Sequence, residues 1–225
     1  MAILVNSATA KSDKNRLSTT WDCFNDAKLV TGLSFVLDAA AEPETAKCVE
    51  FITPEENALV TNWGDRLAKV YKKAATLRHT RLPVANTGVW CNPPFDEKLS
   101  FIQKAYDESR THNITICLLI PYEPQTIWWR CMVDGVARTV YEPRGRYNFY
   151  EPDGVTIKSG VNFGTCFVVF DGSYINNTQY VKFTPSALPI KKPSIDLISI
   201  ALKASKSARK DKLLRLNALN TLNRK

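Results

Sequence analysis

Several features that would announce a function are missing from these 225 residues. The six cysteines (Cys23, Cys48, Cys91, Cys117, Cys131, Cys166) are scattered without C-x-x-C spacing. That argues against a zinc site and against a disulfide framework, and Cys117 and Cys166 sit in apolar runs as small reduced core residues do. The start, Met1-Ala2-Ile3-Leu4-Val5, has no basic flank and only a very short apolar run, so neither a signal peptide nor a spanning helix is expected. The chain therefore reads as cytoplasmic, and the sequons at Asn113 and Asn176 carry no meaning without secretion. No internal repeat is visible. Most of the chain also lacks net charge: of the total of +8, residues from 201 onward hold eight cations against Asp211, a net of +7.

What remains is a chain long enough to bury a real core as one domain with appendages. The expected layout is a flexible N-terminus over 1–17, a domain over 18–183, a proline-rich linker over 184–193 and a basic helical tail over 194–225. A basic tail on a near-neutral body suggests a polyanion partner, nucleic acid ahead of membrane; a solvated tail is the plainer reading.

The chain is organised around Val89-Trp90-Cys91-Asn92-Pro93-Pro94-Phe95. Two prolines fix φ and remove two backbone donors, leaving neighbouring carbonyls rigid and free to accept. Asn92 offers a side-chain carbonyl, Pro93 a backbone one, and Phe95 a face for stacking, which suits a flat ring carrying an amine. A plain proline turn is the alternative. Asp96 is expected to cap a helix with Leu99, Ile102, Ala105 and Tyr106 inward. The continuous apolar run 114–120 then reads as a parallel strand buried on both faces. Strand, corner, helix and strand in that order make a βαβ unit with the corner at a carboxyl strand end.

Upstream, Trp21 opens a helical segment, and 33–37 reads as a strand ending in Asp38. Asp38 followed by Ala39-Ala40-Ala41 stands where open α/β sheets keep nucleotide-like ligands, though it equally suits a helix N-cap. Thr53-Pro54-Glu55-Glu56 has the pattern of a capping box with proline at the first helical position. Next comes a basic amphipathic helix with Leu67, Val70, Tyr71 and Ala74 inward and Arg66, Lys69, Lys72 and Lys73 outward, able to meet phosphates or simply solvated. Residues 124–132 look helical, with Ile127, Trp128 and Cys131 inward. Residues 136–141 and 165–170 read as strands, and between them Arg144-Gly145-Arg146-Tyr147-Asn148-Phe149 suggests a hairpin that contacts nucleic acid or merely exposes its arginines.

Taken together, Trp21, then Phe35-Val36-Leu37-Asp38-Ala39-Ala40-Ala41, Ala46-Lys47-Cys48, Glu55-Glu56-Asn57-Ala58-Leu59, Trp63, the proline corner, Leu118-Leu119-Ile120-Pro121 with Trp128-Trp129, and Gly145-Arg146 with Asn148-Phe149 resemble the phage-type DNA N6-adenine methyltransferases, over roughly residues 18–172. The resemblance implies an α/β, Rossmann-like fold with a mostly parallel sheet, S-adenosylmethionine as cofactor, and adenine in double-stranded DNA as substrate, with Dam-like members acting at GATC; a methyltransferase acting on RNA or a protein glutamine, or a catalytically inactive nucleic-acid-binding protein, is the alternative. By that likeness Asn92, Pro93, Pro94 and Phe95 match the catalytic motif, and Asp38 with Ala39 and Ala40 matches the first-strand cofactor motif. Asn57 stands near the place of the cofactor adenine and Trp21 near its methionine end. Arg144, Arg146, Lys206, Arg209 and Lys210 are the candidate DNA contacts. No metal, no membrane and a monomer are expected. The chain departs from the family pattern in having no Phe-x-Gly-x-Gly loop and in a motif that begins with Asn rather than Asp and ends in Phe rather than Tyr.

Overall fold

The apolar runs form the middle of a seven-stranded sheet in a computed structural model that describes residues 17–76, 86–158, 161–173 and 176–186. The basic tail with Lys206, Arg209 and Lys210, most of the expected linker and nearly all of the N-terminal segment lie outside the described residues. The strands are β1 (Ser18–Thr19), β2 (Ser34–Asp38), β3 (Glu50–Phe51), β4 (Thr87–Cys91), β5 (Thr115–Pro121), β6 (Thr139–Pro143), β7 (Phe149–Tyr150), β8 (Ile157–Lys158), β9 (Thr165–Phe170) and β10 (Gln179–Phe183). The helices are α1 (Trp21–Thr31), α2 (Trp63–Thr76), α3 (Lys98–His112) and α4 (Ile127–Met132).

The large sheet runs β10-β6-β9-β5-β4-β2-β3. Four of its six pairings are parallel; β9 alone runs against both of its neighbours. The mostly parallel sheet expected from the sequence is present, and β4, α3 and β5 form the expected βαβ unit.

Strand side chains alternate between the two faces, and the core divides accordingly. Ile116, Leu118 and Ile120 of β5 join Trp63, Leu67, Phe101, Ile102 and Trp129 from α2, α3 and α4. Cys117 and Leu119 point the other way, with Trp90, Phe167 and Phe35, against Cys23, Phe24 and Ala27 of α1. Both faces are thus covered, which is why these strands carry no polar alternation.

A second sheet, β1-β7-β8, is antiparallel and was not expected. It pairs Ser18 with Tyr150 and Thr19 with Phe149. The arginine segment therefore leads into this sheet rather than into a hairpin between β6 and β9. Strand β10, also unexpected, pairs in parallel with β6 at one edge of the large sheet.

Local details correct other expectations. The Thr53–Glu56 box forms, with Thr53 N–H donating to Glu56 Oε2 at 3.0 Å and Glu56 N–H to Thr53 Oγ1 at 3.4 Å. It closes a turn and no helix, because Asn57 enters the left-handed region at φ 54°. Arg66 does not face outward for phosphates: it pairs with Glu50 at 3.0 Å and Glu56 at 2.7 Å and donates to Phe51 O. Glu97, not Asp96, takes the N-cap position of α3 after a 3-10 turn, and Leu99 is exposed. In α4, Ile127 and Cys131 are exposed and Trp129 is the buried residue. The helix is six residues long, and Thr126 Oγ1 caps it by accepting from Trp129 N–H.

Candidate active site

Asp38 is the last residue of β2, and the chain leaves it in a loop, not a helix, so it caps nothing. Instead its carboxylate holds that loop: Oδ2 accepts from Lys47 N–H at 2.9 Å and Oδ1 from Ala40 N–H at 3.4 Å. Ala39 N–H donates to Trp90 O at 2.8 Å, stitching the end of β2 to the end of β4. Burial pushes the Asp38 carboxyl up to about 7, against the two N–H donors and the Lys47 charge, which pull it down. From β2 the sheet continues on one side to β3 and on the other to β4 and β5, so this is where the strand order reverses. Crevices at the carboxyl ends of strands beside such a reversal are where open α/β sheets bind ligands.

Asn92 follows β4 directly. Its Nδ2 donates to Leu17 O at 3.5 Å, while its Oδ1 is buried and accepts no hydrogen bond. Ser18 Oγ and Thr19 Oγ1 are buried without partners as well. Orphaned polar atoms are rare in folded interiors because each costs about 1–3 kcal/mol. The three residues that carry them all line one cavity.

That cavity measures about 310 Å³. Asp38, Ala40, Asn57, Asn92 and Pro94 line it; Trp21, Ala39, Pro93 and Phe95 do not. Ala39 and Pro93 are buried. Asn57 reaches it from a left-handed turn whose next bond, Leu59 N–H to Asn57 Oδ1 at 3.1 Å, occupies its side-chain oxygen. Trp21, 49 % exposed at the start of α1, lies under the Lys47 ammonium, whose Nζ is 4.9 Å from the ring centroid. Phe95 is half-buried and held edge-on by Phe149 and Phe163, with centroids 6.2 and 5.4 Å away. Arg144 and Arg146 are exposed and stand apart from the cavity lining.

The family model described as DNA N-6-adenine-methyltransferase (Dam) matches residues 6–189. The chain belongs to this family. Its relatives include a DNA N-6-adenine-methyltransferase of Haemophilus phage HP1 (strain HP1c1), 29% identical over 147 residues that make up 65% of this chain and 73% of that protein. Another, from Escherichia phage T1, is 31% identical over 93 residues, 41% of this chain and 30% of that protein. No solved structure matches the chain.

For a Dam-family chain, the sequence left out much of the cavity wall. Leu17 and, from β1, Ser18 and Thr19 line it, as do Thr45, Lys47 and Pro152. The run Ala46-Lys47-Cys48 belongs to the family likeness but suggests no role by itself, and the two-residue β1 gives no periodicity to read. Among the described residues no group of three or more His, Cys, Asp or Glu could hold a metal ion, and no helix is long and apolar enough to cross a membrane.

Proposed function

We propose that this Dam-family protein is an S-adenosylmethionine-dependent methyltransferase of Rossmann-like fold that modifies the N6 amine of an adenine flipped out of double-stranded DNA, in the cytoplasm of a phage-bearing host. The observation that carries the reading is Asn92, which lines a cavity at the sheet's reversal point and whose side-chain oxygen Oδ1 is buried without a hydrogen-bond partner.

Adenine N6 is a poor nucleophile because its lone pair is delocalised into the ring. Asn92 Oδ1 would accept one of its two N–H bonds and the Pro93 carbonyl the other, favouring a more tetrahedral nitrogen with its lone pair aimed away from the ring. That is positional and electrostatic catalysis. An amide carries no basic group, so Asn92 holds and aims the amine without abstracting its proton.

The cavity's donor set fits the cofactor. Asp38 and Asn57 supply polar contacts and Ala40, Pro54 and Leu59 apolar ones. When bound, the cofactor supplies an electrophilic methyl group on a sulfonium. Flipping the base costs a few kcal/mol. Stacking on Phe95, worth about 1–3 kcal/mol on aromatic platforms, offsets much of it. The edge contacts of Phe95 with Phe149 and Phe163 fix that ring in advance. Exposed Arg144 and Arg146, with Lys206, Arg209 and Lys210 of the tail, favour nucleic acid over a protein amide as substrate.

The test is incubation with labelled S-adenosylmethionine and unmethylated plasmids that contain or lack GATC, followed by digestion to nucleosides. Label should appear in N6-methyladenine, and only with the GATC plasmid if that is the target. Asn92→Ala should abolish transfer and leave cofactor affinity near normal. Cofactor binding without label in DNA would sink the substrate, and absence of cofactor binding would sink the enzyme reading.

A further inference from the structure

The segment that joins β6 to β7 faces both the Phe95 platform and the solvent. Burial alternates along it: Arg146 and Asn148 are exposed, whereas Tyr147 and Phe149 are 5% and 1% exposed. The inward pair is anchored. Tyr147 Oη donates to the buried Asp26 carboxylate at 2.7 Å, and the Phe149 ring meets Phe95 edge-on at 6.2 Å and Phe163 at 6.0 Å. Arg146 braces the same cluster from outside. Its Nη1 donates to Val161 O at 3.5 Å, two residues before Phe163, which also packs against Phe95. Asn148 is therefore an exposed side chain on a backbone held from both sides, one residue from a ring that packs on the platform. Among the described residues no hydrogen bond occupies its amide.

Exposed arginines on this segment, Arg144 and Arg146, suit phosphates, and phosphate contacts position a duplex without reading its sequence. An amide can read. Asn carries an acceptor and two donors on one planar group, and it pairs with adenine through N6–H and N7 in the major groove. We propose that Asn148 is a specificity-determining residue, which pairs with an adenine that stays stacked in the duplex close to the flipped one. Tyr147 and Phe149 hold it in register with the Phe95 platform, so that the base read and the base modified keep a fixed spacing. The inference rests on the DNA reading above and deepens it, since it concerns which sequence is modified and not whether DNA is the substrate.

The test maps methylation by position. The full-length protein is incubated with S-adenosylmethionine and unmethylated plasmid, and N6-methyladenine is located by sequencing. The wild type should favour one sequence that contains, in either strand, an adenine besides the modified one. A good bidentate contact discriminates roughly 5- to 150-fold against a wrong base. Asn148→Ala should lower the preference at that one position by such a factor, with cofactor affinity and the salt dependence of DNA binding as in the wild type. Asn148→Gln keeps the amide and should restore part of the preference. Arg144→Ala, by contrast, should weaken all sequences alike. An Asn148→Ala protein that keeps the wild-type preference, or is slowed equally at every site, overturns the assignment of Asn148 alone. So does a wild type that methylates all adenines alike. Absence of N6-methyladenine with the wild type overturns the DNA reading and the inference with it.

Discussion

The pH dependence of stability should carry the signature of one residue, Asp38. Its carboxyl ends β2 at 2% exposure and is pushed from 3.8 up to about 7, with burial the leading cause. A raised pKa in the folded state means that between about pH 3.8 and pH 7 the native protein holds a proton that the unfolded chain has released. The associated stability is complete below the lower value and is lost as pH rises through the upper one. Three pH units at about 1.4 kcal/mol each set an upper scale of about 4 kcal/mol, of which about 2 kcal/mol should fall between pH 5 and 7. Asp38→Asn removes the titration. It also replaces one acceptor with an NH2 that faces a backbone N–H of Ala40 or Lys47, a pH-independent loss of about 1–3 kcal/mol. Urea unfolding of both proteins at pH 5, 6, 7 and 8 isolates the effect, because titrations common to both cancel in the difference. The wild type should lose ground to Asp38→Asn as pH rises, and the two curves should converge or cross near pH 7. Parallel curves, or a wild type that gains on the variant, would show that the two N–H donors and Lys47 outweigh burial.

Three further outcomes follow from other parts of the molecule. Glu108, buried on α3, accepts from Trp63 N–H and Gly64 N–H at 3.1 Å each and pairs with Lys104 at 2.6 Å. Glu108→Ala strands two donors at the start of α2 and should cost about 3–5 kcal/mol in urea unfolding, and a change below about 1 kcal/mol would mean that water replaces the carboxylate. Tyr147 donates to buried Asp26 at 2.7 Å, so Tyr147→Phe should cost about 1–3 kcal/mol while leaving cofactor affinity intact. In DNA binding, Arg144→Ala, Arg146→Ala and removal of 194–225 should each flatten the salt dependence by about 0.9 for every phosphate no longer neutralised, and an unchanged slope would make that group a bystander.

The centre of the sheet was legible because burial on both faces writes itself as an uninterrupted apolar run. Residues 114–120 could hardly be anything else, and the corner at Asn92 followed from its place between that strand and the preceding one. Strand β9 was equally plain, with all six residues buried. The edges were not. β10 has Tyr180 and Val181 at 43% and 39% exposure, and an edge strand with one neighbour shows no dominant face. In α4, six residues span less than two turns, too few for periodicity to fix a face, and Ile127 and Cys131, expected inward, are exposed. Asp38 was placed correctly at a strand end, yet its partners come from a loop with no periodic signal. The wall of the cavity depends on two-residue strands whose pairing spans most of the domain, and nothing local encodes that.

The pairing of Ser18 with Tyr150 also sets an order of events during synthesis. As the chain leaves the ribosome, β2, β4 and β5 have all emerged once residue 121 is out, so their pairings need nothing made later. The hydroxyl-bearing strand at residues 18 and 19 must wait, unpaired, for the polypeptide some 130 positions later, and such distant closures are slow. A nascent or prematurely terminated product would then own the amine-holding corner but lack one side of its binding chamber. A chain that stops before residue 149 therefore lacks the partner strand of β1, and it should bind ligand more weakly than the full protein.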